Sequence, residues 1–208
     1  MGEIKKCSPV KLIIGFIYKE EDALNKALGQ LKKHFGKTDF ESRIIPFVYT
    51  DYYEREFGTG LNRKFVSFRK LIAPSSLAEI KTLTNKIENE APQALARGFR
   101  SGILERPFLI RALKGAGLRP RKYKLSAERL RRVNIDPGYL DLSRLVLAST
   151  KDFSHRIYLN QGVYAETTLI FKAKTFQPLE WTYPDYRTSE YIEIFNQIRE
   201  IYNQQIKK

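Results

Sequence analysis

The chain is short of the residues from which several kinds of site are built. It has one cysteine, Cys7, so no internal disulfide framework exists, and a reducing compartment is the simpler reading. Its two histidines, His34 and His155, lie too far from each other and from Cys7 for a zinc-ligand spacing, so no metal site is assigned. No G-x-x-x-x-G-K-[ST] phosphate loop, no G-x-S-x-G elbow and no H-E-x-x-H pair occurs. Long apolar runs are missing as well. Val10–Tyr18 is too short to span a bilayer and leads straight into a charged KEED stretch. We therefore expect no membrane span, no signal peptide and a cytoplasmic protein.

What the chain has in excess is positive charge. Its 208 residues carry a formal net charge of +14, which points to a polyanionic partner such as a nucleotide or nucleic acid. The charge is concentrated. Ala91–Arg132 has 12 Lys and Arg against Glu105 and Glu128, a net of +10 in 42 residues. Nine of those twelve are arginines, including Arg97, Arg100, Arg119, Arg121, Arg131 and Arg132. Arginine grips phosphate bidentately, and interleaved Phe99, Phe108 and Tyr123 can stack on unpaired bases. Residues 91–131 are read as a basic excursion from one domain of residues 1–208. A solubilising surface arm is the alternative.

Periodicity supplies the architecture. Val10–Tyr18 reads as a buried strand. Leu24, Ala27, Leu28, Leu31 and Phe35 form one helical stripe behind an acidic first turn, with Gly36 past its end. Arg43–Thr50 and Leu61–Ile72 read as strands, and Leu77, Ile80, Leu83 and Ile87 as a second helix. Asp136-Pro137-Gly138 has the composition of a type II turn. Leu145–Ser149 suits a strand buried on both faces. Tyr191, Ile194, Phe195, Ile198, Ile201 and Tyr202 line a last helix capped by Thr188 or Ser189. The expected fold is α+β: a single domain with a mixed sheet of roughly five to seven strands and three main helices.

Ser154–Phe171 reads as a hairpin about Asn160-Gln161-Gly162, with Gly162 in the left-handed position. Alternation then puts Arg156, Tyr158, Tyr164, Glu166 and Thr168 on one face. His155, Ile157, Leu159, Val163, Ala165, Thr167 and Leu169 fall on the other, expected to be the core side. Arg156 and Glu166 face each other across the strands. The candidate catalytic groups are His155 as a proton carrier, with Glu166 and Asp136. Candidate ligand-binding residues are Lys151, Arg156, Tyr158, Tyr164, Thr168, Trp181, Tyr183, Asp185 and Arg187, the lysine and arginines for phosphate and the rings for stacking. Asp136, Glu166 and Asp185 supply oxygens of the kind Mg²⁺ prefers.

The motifs NIDPGY, LAST-K, HRIYL, YAE-TL and WTYPDYR, in this order, resemble a bacterial domain-of-unknown-function family, number 4416. The resemblance covers most of the chain and implies an α+β layout, with the Arg-rich segment as an insertion. Proteins of this kind are sometimes labelled GTP-binding, but the family supplies no reaction or catalytic residues to carry over. The leading reading is a protein that binds a phosphate-bearing ligand, nucleotide or RNA, with Mg²⁺-dependent phosphoryl or nucleotidyl transfer as its enzymatic form. The alternatives are a non-catalytic nucleic-acid-binding protein that uses the Arg-rich segment, and a protein-interaction scaffold.

Overall fold

The computed structural model describes residues 3, 7–50, 53, 57–90 and 131–207. Residues 91–130, with Arg97, Arg100, Arg119 and Arg121, lie outside the described residues. In chain order the elements are β1 (Lys11–Tyr18), α1 (Glu21–Phe35), β2 (Thr38–Glu41), β3 (Ile45–Phe47) and β4 (Leu61–Phe68). After a 3-10 turn at Pro74–Ser76 come α2 (Leu77–Glu90), β5 (Val133–Leu140), β6 (Arg144–Ser149), β7 (Ile157–Asn160), β8 (Val163–Lys172) and β9 (Thr175–Pro178). A second 3-10 turn, Pro184–Arg187, leads into α3 (Ser189–Ile206), whose first turn is capped by the Thr188 hydroxyl accepting from Tyr191 N.

The sheet runs β2-β4-β1-β5-β6-β8-β7, with β3 added to β4 and β9 to β8. The α+β class is as expected, and so are three α-helices among the described residues. The sheet is not mixed: among the described residues it has nine strands and every pairing is antiparallel. The reason lies in the helical crossovers. Each joins two strands that flank a third, antiparallel one, so β2-β4-β1-β5 has the split β-α-β order. β5–β6, β7–β8 and β8–β9 are antiparallel neighbours, while the connection from β6 to β7 skips the place that β8 takes between them.

Helices cover both faces. Leu12, Ile14, Phe16 and Tyr18 of β1 pack with Leu24, Leu28 and Leu31 of α1 and Ile80 and Ile87 of α2. Ile13 and Phe65 point the other way, toward Tyr191, Phe195 and Ile198 of α3. This is why all eight residues of β1 are buried and why its sequence is apolar almost without alternation.

Asp136-Pro137-Gly138 is not a turn. All three residues lie inside β5, opposite Gly15, Ile14 and Ile13 of β1. Proline is tolerated there because of where the ladder to β6 stops. β6 is registered only with Gly138, Tyr139 and Leu140. Two residues upstream of Pro137, both backbone groups of Ile135 are held by α2 instead. Its N–H donates to Glu88 Oε1 at 2.6 Å and its carbonyl accepts from Lys81 Nζ at 3.0 Å. By the two-residue alternation of a strand, Pro137 would send its N–H to that same side, and it has none to send. Gly138 serves a close approach: a Cβ there would stand 2.4 Å from Val146 O. Beyond this point β5 and β6 diverge, and the sheet forks.

The hairpin turns at Gln161 (φ 54°) and Gly162 (φ 72°), so the connection is one residue tighter than expected, with a register shift between Tyr158 and Asn160. Tyr158 opposes Tyr164 and Ile157 opposes Ala165 as expected. The assignment of faces needs correction. Arg156, Glu166 and Thr168 are buried, whereas Ile157 is 73% exposed. Two causes act. A bulge at Thr168, between the pairs Leu145↔Leu169 and Val146↔Thr167, flips the alternation, so Val163 packs under α2 and Leu169 under α3. The loop before α3 also covers the polar face: Thr182 Oγ1 donates to Thr168 O, and Trp181 Nε1 to Thr167 O.

Candidate functional site

The fork encloses a cavity of about 850 Å³. Its walls come from both layers around the sheet. Lys81, Asn85 and Glu88 reach it from α2, and Tyr183, Asp185 and Tyr186 from the segment before α3. Asn134 and Asp136 of β5 line one side of the fork, and Leu147, Ala148 and Ser149 of β6 the other. Lys151, Phe153, Arg156 and Glu166 close the far end, and Arg63 with Phe47 and Tyr53 the near one.

Three charge clusters stand on these walls. The first is built on Arg63, whose side chain is 1% exposed. Its Nη1 donates to Asp136 Oδ2 at 3.2 Å, its Nη2 donates to the Tyr186 hydroxyl, and Asp185 Oδ2 lies 4.0 Å from Nη2. The guanidinium sits over the Phe65 ring at 4.7 Å. Burial alone would ease its proton away, but Tyr186, Asp136 and Asp185 hold it on more firmly than usual. Burial raises the pKa of Asp185; Arg63 opposes the shift and neighbouring Asp136 adds to it. Two carboxylates share one guanidinium.

The second cluster lies along the buried side of α2. Glu88, 2% exposed, accepts from Ile135 N and pairs with Arg131 Nη1 at 2.7 Å. Burial raises its pKa, against the pull of Lys81 and Arg131. Lys81, 7% exposed, bonds the Ile135 carbonyl and has no ion pair with a carboxylate among the described residues. The third cluster is Arg156 and Glu166. Arg156 Nε donates to Glu166 Oε2 at 2.6 Å, Nη1 to Ser149 Oγ and Lys151 O, each at 2.9 Å, and Nη2 to the Tyr183 hydroxyl at 3.1 Å. It also packs 4.6 Å from the centre of the Phe153 ring. Every nitrogen of this guanidinium is occupied.

Of the residues expected from the sequence, Asp136, Lys151, Arg156, Glu166, Tyr183 and Asp185 meet on this cavity, and Arg131 joins them. The other described ones do not line it. His155 stands behind Glu166, its Nε2 3.2 Å from Oε2, with Trp181 stacked on its other side at 5.3 Å. Contrary to expectation, His155 thus shares Glu166's side of the hairpin, because β7 begins only at Ile157. Thr168 is buried and donates to Glu166 Oε1. Tyr158 is exposed and meets Tyr164 edge to face. Arg187 donates to the carbonyls of Thr182 and Glu180, fastening its own loop. Arg132 pairs with Glu20 and Asp22 at the start of α1.

The carboxylates named for Mg²⁺ are held apart by their cationic partners. Asp136 and Asp185 turn to Arg63 while Glu166 turns to Arg156. Among the described residues no group of three or more His, Cys, Asp or Glu is placed to hold a metal ion. The sequence reading also missed Arg63, Lys81, Glu88 and Asn134. Signals existed. Arg63 sits between Leu61 and Phe65 in the period-2 apolar register of β4, and Lys81 and Glu88 fall on the buried side of α2. A charge inside an apolar period marks a buried charge.

Fold and site together define a three-layer α+β protein with a ligand-sized cavity where its central sheet forks. The chain belongs to the family described as Domain of unknown function (DUF4416), whose model matches residues 8–106 and 121–202. Residues 107–120, inside the Arg-rich segment, fall between the two matched stretches. No curated protein and no solved structure matches the chain. Among the described residues no helix is long and apolar enough to cross a membrane.

Proposed function

We propose that the protein binds a phosphate-bearing small molecule of the nucleotide class in the forked-sheet cavity. The observation that carries this reading is Lys81. Lys81 is 7% exposed on a cavity wall and bonded to one carbonyl, and the carboxylate that feels its charge, Glu88, is already paired with Arg131, so a further anion is favoured there. Arg131 and Lys151 line the same space, and Phe153, Tyr53 and Tyr183 offer rings to a flat ligand. A volume of about 850 Å³ lies within the range of small-molecule sites, roughly 300–1,000 Å³. The reading is one of binding. His155, the proton carrier expected from the sequence, does not line the cavity.

The test is a thermal-shift screen of nucleotides and short RNAs, with and without Mg²⁺, at two salt concentrations. The reading expects salt-tolerant stabilisation by a nucleotide, reduced at least tenfold in apparent affinity by Lys81→Met. Stabilisation by RNA alone, lost at high salt, would move the activity to the Arg-rich segment. No response to either would favour the interaction scaffold.

A further inference from the structure

The cavity is electrically two-ended. At the Arg63 wall two carboxylates, Asp136 and Asp185, face one guanidinium, which leaves an excess of one negative charge. At the α2 wall two cations, Lys81 and Arg131, stand with one carboxylate, Glu88, among the described lining residues. A ligand anion therefore belongs at the α2 wall, and the Arg63 wall repels a second one. The Arg63 wall instead suits groups that donate hydrogen bonds. The Asp136 side chain is 26% exposed, and Arg63 is its one hydrogen-bond donor among the described residues. A carboxylate has about four acceptor sites, so most of Asp136's capacity is unused.

A second observation marks the same wall. Asn134, two residues before Asp136 and on the same face of β5, is 5% exposed and lines the cavity. Its Oδ1 is taken by Arg131 Nη1 at 3.2 Å, and its buried Nδ2 has no partner among the described residues. An amide donor beside an underused carboxylate is a complementary pair for a hydroxyl, which both donates and accepts. Because Asn134 also touches Arg131, the pair sits where the negative wall meets the positive one.

Resting on the phosphate-ligand reading above, we propose that Asp136 and Asn134 receive the ribose hydroxyls of a ribonucleotide whose phosphate lies toward Lys81. Asp136 accepts from the 2′-hydroxyl and Asn134 Nδ2 donates to the sugar oxygen beside it, with Asp185 behind Arg63 keeping this wall negative. The protein is then a ribonucleotide binder that discriminates against deoxyribonucleotides. A site that bonds a hydroxyl rejects the analogue lacking it, because the buried polar groups are left unpaired.

The experiment is isothermal titration calorimetry of the full chain with AMP, GMP, CMP and UMP, each beside its 2′-deoxy counterpart, with inorganic phosphate as a further probe. The expected result is at least one ribonucleotide bound about tenfold or more tightly than its deoxy form. Asp136→Asn, with its melting temperature measured in parallel, should bring the ratio toward one while retaining affinity for the deoxy form. Asn134→Ala should lower the same ratio and leave the Arg63–Asp136 pair in place. A nucleotide bound equally in both forms overturns the proposal and leaves the phosphate reading standing. Failure of every phosphate compound overturns both.

Discussion

Gly15 lies beneath the guanidinium of Arg63. A Cβ built on this glycine would stand 3.1 Å from Arg63 Nη2 and 3.3 Å from its Cζ. Gly15 pairs with Phe65 on one side and with Asp136 on the other, so Arg63, rooted in β4, reaches across β1 to Asp136 on β5 over the one residue of β1 without a side chain. The ion pair and the glycine are one feature.

That relationship makes a coupled prediction. Gly15→Ala should destabilise the protein by about 1–2 kcal/mol, since the guanidinium it pushes on is fixed by Asp136 and Tyr186. In an Arg63→Met background the same substitution should cost clearly less. Arg63→Met alone should cost about 3–5 kcal/mol, because it strands the buried Asp185 and the partly buried Asp136. A double-mutant cycle by urea denaturation measures the coupling; additive effects would refute it.

The clip between α2 and β5 is testable at Glu88. Glu88→Ala leaves the buried Ile135 N–H and the Arg131 guanidinium short of an acceptor, and should cost about 2–3 kcal/mol. Glu88→Gln keeps an oxygen for Ile135 and should cost less. Hydrogen exchange at Ile135 should accelerate in the alanine variant and change little in the glutamine one.

Gly138→Ala should be worse tolerated than Gly15→Ala. Here the neighbour is backbone, Val146 O at 2.4 Å, with Leu147 Cδ2 at 2.7 Å. Only a shift of β6 relieves it, so a loss of at least about 2–3 kcal/mol is expected in equilibrium unfolding. Because β6 forms a wall of the cavity, the proposed nucleotide binding should weaken together with stability.

Acid stability should respond to Glu41. Partial burial would raise its pKa, but hydrogen bonds from Lys64, Lys32 and Thr38 outweigh that and bring it down to about 2. Its folded pKa lies below the ordinary carboxylate value of 4.5, so its stabilising contribution is fully present above that pH and is lost as pH falls toward 2. Glu41→Gln should flatten the acid limb of a stability–pH curve between those limits and leave its shape near neutrality unchanged.

Glu88 works with the opposite sign. Burial raises its pKa, so the folded chain keeps the proton to higher pH than the unfolded chain does. Stability should therefore fall as pH rises from the unfolded value of 4.5 through the folded one. Glu88→Gln, which cannot titrate, should remove that slope.

The sequence by itself determined what depends on local periodicity and turn chemistry. The apolar run of β1, the stripes of α1 and α3, the Thr188 cap and the Tyr158–Tyr164 pairing each follow from residues near one another in the chain. The Arg156–Glu166 ion pair is of the same kind, since a hairpin makes its partners neighbours. Tertiary structure decided the rest. Asp-Pro-Gly reads as a turn wherever composition alone is considered. It becomes strand here because β1 is paired along its whole length on one side, while α2 supplies on the other side the donor and acceptor that β6 does not. The cavity is likewise out of reach of local reasoning: its walls join Arg63, Lys81, Asp136 and Asp185 from four separate elements. What brings them together is the order of strands in the sheet, and that order depends on how the apolar faces of three helices share two sides of one sheet.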